Sequence, residues 1–170
     1  ASINAAIQSR VDSGKTLCLG SWSEVQCELD ARYDDYTVFP LGAVPKPHQP
    51  EVMRPVSDHT KTGLNARTDM SFLAHSLTAH KDVCELLKRN YFMSVSDVTD
   101  AFLIILIRAG LWRFFLFRWR RPGDAGLMCF VHLFGDFGTR GLPGTFFVFF
   151  VEVVVQMARS ELVLVIPLVV

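Results

Sequence analysis

The chain has 170 residues, 17 Lys and Arg against 17 Asp and Glu, and 50% hydrophobic content. That length suits one domain able to bury a core, and the zero net charge excludes a globally basic nucleic-acid binder. The balance is uneven: residues 1–100 carry 10 basic and 13 acidic side chains, residues 101–170 carry 7 and 4, and 11 of the 14 Phe lie after residue 100.

Residues 1–35 form a polar segment with weak helical patterning around Trp22 to Tyr33. Gly14-Lys15-Thr16 has the ending of a phosphate loop, but the position five before Gly14 is Ser9. Without that glycine the backbone N–H groups cannot wrap phosphates. A fingers-like region is expected over 36–90. Within it a β-rich stretch from Tyr36 to Leu41 leads into Pro45, Pro47 and Pro50, which predict a loop because each ring removes a backbone donor. Arg54 to Asp58 then reads as an edge strand and Lys61 to Asn65 as a turn. Phe72, Leu73, Leu77, Val83, Leu86 and Leu87 repeat at helical spacing over 70–89, ending in Lys88-Arg89 where cations suit the helix dipole.

The period changes in the remaining part, 91–170. Tyr91 to Ser96 predicts a strand that delivers Asp97. Arg113 to Trp119 and Leu127 to Phe134 predict a hairpin, with Arg121-Pro122-Gly123-Asp124 as its turn. Glu152, Gln156, Arg159 and Ser160 fall on one helical face, so a largely buried helix is expected from about Pro143, which fits a first-turn position. Leu162 to Val170 reads as a buried strand. It ends with no turn residue after it, and the chain opens on Ala1, so a cut piece of a longer protein is expected. The fold class is α+β.

The apolar runs are too short for a membrane helix, which needs about 18 residues. They stop at Arg108 and Glu152, and a charge at a bilayer centre costs about 2.5–3.5 kcal/mol. Cys18, Cys27, Cys84 and Cys129 form no CxxC pair, and Cys84 and Cys129 are expected to pack as small hydrophobes. His75 and His80 do not make an HExxH motif and read as helix-surface residues.

Asp97-Val98-Thr99-Asp100 places carboxylates directly after an apolar strand. A charged tip there must face solvent or a cation, and Mg²⁺ with substrate phosphates meets that demand. Capping of the strand end or of a following helix meets it too. Three blocks occur in order: Arg54-Pro-Val-Ser-Asp58 with Leu64-Asn65, then Tyr91 to Phe102, then Phe137-Gly138-Thr-Arg140-Gly141-Leu-Pro143-Gly-Thr-Phe146. Together they resemble a reverse transcriptase of the retrotransposon kind, over about residues 36–170.

That resemblance implies polymerase fingers and a partial palm, an antiparallel sheet packed on helices, truncated before the aromatic-x-Asp-Asp hairpin. It makes Asp97 the first catalytic aspartate and ligand of two Mg²⁺ ions, with Mn²⁺ as a substitute, and the Val98 carbonyl a further ligand. Phe102 becomes the ring under the incoming sugar, leaving no room for a 2′-OH. Asp100 and Ala101 offer backbone N–H groups to the triphosphate, and Arg54 and Lys46 contact its phosphates, although the spacing of Lys46 departs by a residue. Phe137, Gly138, Arg140, Gly141 and Pro143 form the loop that touches template and nucleotide, with Phe137 standing where the family often carries Gln. Leu106 to Gly110 replaces the family's Pro-Leu-His-Pro-like turn.

The implied partners are an RNA or DNA template–primer and dNTP, with no stable membrane partner. Further polyprotein domains are implied in the full element, and an intracellular setting, cytoplasm or nucleus, is expected because there is no signal peptide. One aspartate cannot hold two ions about 3.5–4 Å apart, so the 170 residues alone are expected to be inactive. Arg108, Arg113, Arg118, Arg120, Arg121 and Arg140 give the back half a basic balance suited to phosphate. The alternative reading is a noncatalytic, membrane-associated protein whose Phe- and Val-rich half lies on a bilayer.

Overall fold

A computed structural model describes residues 3–71, 84–85, 98, 100–148 and 156. The chain divides into two units, Ala1–Thr68 with Phe102–Arg140, and Asp69–Ala101 with Gly141–Val170. The architecture is α+β, with sheets packed against helices.

The first unit is built on a four-stranded sheet in the order β1 (Thr16–Ser21), β6 (Met128–His132), β5 (Leu116–Trp119), β2 (Val38–Phe39). The β1/β6 and β6/β5 pairs are antiparallel, and β2 pairs with β5 in parallel, so the sheet is not purely antiparallel. Side chains alternate across β5 and β6 and divide the core in two. Phe117 and Phe130 pack with Phe39 against Ile7 of α1 (Ile3–Asp12). Leu116, Cys129 and Val131 pack against Leu29 of α2 (Trp22–Arg32). The sheet is therefore covered by a helix on each face. Cys129 is fully buried, as expected, and burial pushes its thiol up to about 12, whereas Cys84 is exposed rather than packed.

Local chemistry explains the helix ends. Gly14 (φ +69) donates to Val11 O at 3.0 Å and Lys15 N–H to Arg10 O at 2.9 Å, a Schellman arrangement that closes α1. Gly14-Lys15-Thr16 thus ends a helix and opens a strand, the reverse of the strand-to-helix order of a phosphate loop. Ser21 caps α2 by accepting from Glu24 N–H, and Ser21 with Glu24 makes a capping-box sequence.

Three expectations over these segments need correction. The polar segment before residue 36 contributes β1 to the sheet as well as two helices. The proline-rich stretch is a hairpin, not a loop: β3 (Leu41–Lys46) pairs antiparallel with β4 (Gln49–Ser57) in a separate two-stranded sheet. In such a ribbon half of the N–H groups point away from the partner, so proline rings need not break the ladder. Arg113 and Phe114 belong to a 3₁₀ helix, Ala109–Phe114, so β5 begins at Leu116. Trp112 Nε1–H donates to Ile107 O at 2.9 Å and holds that turn.

The β5/β6 hairpin itself is as expected. Arg121 N–H and Nε–H donate to Asp124 Oδ2 at 2.9 and 3.1 Å, and Gly123 takes φ +93. Those Arg121 bonds hold the Asp124 carboxyl below its usual range.

In the second unit a short helix, Leu142–Phe146, carries Pro143 in its first turn, with Leu142, Gly144 and Phe146 buried. Gln156 is helical, as are Cys84 and Glu85. The rest of the expected helices over 70–89 and 143–160, the strands Tyr91–Ser96 and Leu162–Val170, and His75 and His80 lie outside the described residues. Among the described residues, no helix is long and apolar enough to cross a membrane.

Candidate functional site

Within the first unit, pieces of all three sequence blocks meet. Arg54 to Ser57 form the last part of β4, and the Ser57 N–H donates to Phe137 O at 3.2 Å. Asn65, in the four-residue helix α3 (Leu64–Arg67), clamps the same loop from the other side. Its Nδ2–H donates to Gly138 O at 2.9 Å, and its Oδ1 accepts from Arg140 N–H at 2.9 Å. An amide side chain that donates and accepts in this way reproduces a strand partner for one residue pair. Phe102 packs edge-to-face on Phe137, centroids 5.2 Å apart at 68°.

Gly138 is the tightest point of this junction. It takes φ +115, and a Cβ there would lie 2.0 Å from Ser57 O and 3.1 Å from Ser57 C. Glycine alone admits both the backbone conformation and the approach.

Beneath the loop lies a buried polar cluster that the sequence pattern did not reveal. Asp136 and His132 are 1% exposed and His59 is fully buried. The His59 imidazole lies with Nε2 3.1 Å from Asp136 Oδ1, and Thr139 Oγ1–H donates to that same oxygen at 3.0 Å. His132 Nε2 is 3.4 Å from Asp136 Oδ2, in ion-pair range without hydrogen-bond geometry, while its Nδ1 meets Thr16 Oγ1 at 3.0 Å. Phe39 and Phe117 press on the His132 ring, with centroids 5.6 and 4.8 Å away.

Burial pushes the His132 imidazole down to about 4, against the pull of Asp136. Burial opposes ionisation of Asp136 as well, but the His59 hydrogen bond and the two imidazoles together hold its carboxyl below the usual range. A histidine in an otherwise apolar strand, three residues before Gly135-Asp136, is the sequence signal that could have found it.

The other expected site residues fall as follows. Lys46 ends β3 and Arg54 lies on β4 opposite Val44, so both cations stand on the exposed β3/β4 hairpin. The ladder is irregular between Pro45 and Lys46, so the register does not fix a shared face for them. Asp97 lies outside the described residues. In the second unit Val98 is half-buried, Asp100 sits in a turn at φ +56, Gly141 is buried and Pro143 is half-buried. Ala101 and Phe102 open a 3₁₀ helix, Ala101–Ile104.

The arginines expected to face phosphate are not equivalent. Arg121 is paired to Asp124 and stacked 5.3 Å over Phe130, and Arg113 lies between the rings of Tyr33 and Phe114 at 5.1 and 4.8 Å. Arg108, Arg118, Arg120 and Arg140 are exposed. Among the described residues, no three His, Cys, Asp or Glu side chains are grouped so as to hold a metal ion. The carboxylate on which a Mg²⁺ site depends by resemblance is Asp97, outside that set.

The chain matches no protein-family model and no curated protein.

Proposed function

We propose that the chain forms fingers and part of the palm of a retrotransposon RNA-directed DNA polymerase, a two-metal nucleotidyltransferase in its intact form. The observation that carries this reading is the junction at Gly138. Asn65 and Gly138 are 73 residues apart, yet they are hydrogen-bonded, and Phe102 from the intervening block packs on Phe137. A chance likeness of three short sequence blocks gives no reason for them to touch. A shared surface for nucleotide and template does.

The roles follow from chemistry. Arg54 and Lys46, on a hairpin exposed along most of its length, supply charge for the triphosphate. Phe102, braced by Phe137, provides the flat ring against which a deoxyribose fits and a ribose does not. The loop around Gly138 presents backbone close to the template and nucleotide because glycine leaves no side chain in the way. Asp97 and the Val98 carbonyl would hold Mg²⁺. When bound, the metal ions stabilise the attacking 3′-oxygen and the leaving pyrophosphate oxygen.

The test uses the protein extended along its own reading frame through an aromatic-x-Asp-Asp turn. It should incorporate dNTP on a primed RNA template with Mg²⁺, and Asp97→Asn should lower that rate by about a hundred- to a thousandfold, the scale of losing an electrostatic anchor of the transition state. Retained activity in the variant, or no such turn in the frame, overturns the reading.

A further inference from the structure

We propose that a cleft of about 320 Å³ at the β2 edge of the four-stranded sheet, lined by Lys61 and Arg118, binds the phosphodiester backbone of a single-stranded nucleic acid. Its other walls are Val38, Phe39, Pro40 and Thr62. The two cations reach it from different directions: Lys61 from the turn after β4, Arg118 from β5.

Three observations select an anionic strand. First, neither cation makes an ion pair among the described residues. Asp58 and Asp30 bond to neutral donors instead: Asp58 Oδ1 accepts the backbone Lys61 N–H at 2.9 Å, and Asp30 Oδ1 accepts Tyr36 O–H at 2.8 Å. Second, Arg118 is held in place. Its guanidinium lies 4.9 Å from the centre of the Trp22 ring, which fixes the side chain while leaving its N–H edge open to solvent. Third, Val38 and Pro40 give the cleft apolar walls beside its charges. Cations that follow a backbone, next to surfaces on which sugars and bases can rest, are the pairing that sequence-tolerant single-strand sites use.

A duplex fits less well, because a cleft of about 320 Å³ lined by six residues is local rather than a groove. The inference deepens the polymerase reading, on which its choice of ligand rests: a strand held here would be template held away from the Gly138 junction. The charge argument itself does not need catalysis.

The experiment is binding of a short fluorescein-labelled single-stranded RNA to the chain across a salt series. Two phosphates neutralised on a single strand contribute about 1.4 to the slope of log K against log salt. Lys61→Gln/Arg118→Gln should lower the slope by about that amount and weaken binding, whereas Lys61→Arg/Arg118→Lys should restore it. Arg32→Gln, exposed and outside the cleft, should leave the slope unchanged. Because Arg118 also covers Trp22, Lys61→Glu alone provides a second variant that leaves that stack intact; it too should lower the slope.

An unchanged slope in both the double variant and Lys61→Glu overturns the proposal, as does equal competition by anionic-lipid vesicles lost in the same variants. The outcomes separate the two claims. Cleft-dependent RNA binding with no dNTP incorporation by the extended protein leaves the cleft and removes the polymerase. Incorporation with an unchanged slope does the opposite.

Discussion

Replacing Gly138 by alanine tests whether the loop and β4 are forced together as tightly as the structure has them. The φ of +115 costs an L-residue about 1–2 kcal/mol. The new Cβ would sit 2.0 Å from Ser57 O. A carbon–oxygen contact needs about 3.3 Å, so the segments must part by about 1.3 Å. Parting by that much breaks the 3.2 Å bond from Ser57 N–H to Phe137 O and strains the 2.9 Å bond from Asn65 to Gly138 O. At about 1 kcal/mol net for each bond, the total is about 3–4 kcal/mol. For a chain of this size that corresponds to a melting point lower by roughly 6–16 °C. Gly14→Ala and Gly123→Ala separate the two contributions, since those glycines have φ of +69 and +93 with nothing within 4 Å of a built Cβ. They should show the backbone cost alone. Urea unfolding followed by tryptophan fluorescence and circular dichroism measures all three variants. If Gly138→Ala costs no more than the two controls, the close approach of Gly138 to Ser57 is wrong, and with it the junction on which the functional reading rests.

Asn65→Ala removes both hydrogen bonds of the loop clamp and should cost about 2 kcal/mol in the same urea assay; Asn65→Asp keeps the acceptor for Arg140 N–H but cannot donate to Gly138 O, so it should also destabilise. A histidine whose folded pKa is lowered leaves the unfolded chain to bind the proton first. With His132 moved from 6.5 to about 4, stability should be constant above pH 6.5 and fall by about 3 kcal/mol as the pH drops toward 4. His132→Gln should flatten that slope, and equal pH profiles for the two proteins would rule out the buried neutral imidazole.

The sequence pattern was most informative where one local signal suffices. The apolar run Leu127 to Phe134 with the Arg121-Pro-Gly-Asp turn located the β5/β6 hairpin, and the spacing around Trp22 to Tyr33 located α2. β1 was hidden because its polarity is inverted. Leu17 and Leu19 are 45% and 39% exposed, while Thr16 is buried against His132, so its apolar residues face outward and mark no buried strand face. The β3/β4 hairpin was hidden by its prolines, which read as a loop although a two-stranded ribbon leaves half of its N–H groups outside the ladder. At the site, the residue types of the three blocks were legible as a likeness, but the clamp was not. Asn65 binds backbone atoms of Gly138 and Arg140, and no residue type records which backbone atoms it will meet.

The buried cluster of His59, His132 and Asp136 shows why such a site needs more than a stable core. Apolar side chains at these three positions would avoid the desolvation that charged or polar groups incur, and replacing buried ion pairs by well-packed hydrophobes is often neutral or stabilising. What apolar packing lacks is direction. Asp136 Oδ1 faces the His59 imidazole at 3.1 Å and accepts from Thr139 at 3.0 Å, so the backbone on both sides of Phe137 and Gly138 is tied through one oxygen to the segment that follows β4. Asn65 ties the same loop to the same segment through Gly138 and Arg140. Two independent sets of directional bonds thus hold a five-residue loop in a single register, where contact between methyl groups would tolerate a slip. The polar cluster trades some core stability for the placement of Phe137 and Gly138, the residues that the proposed reaction needs in position.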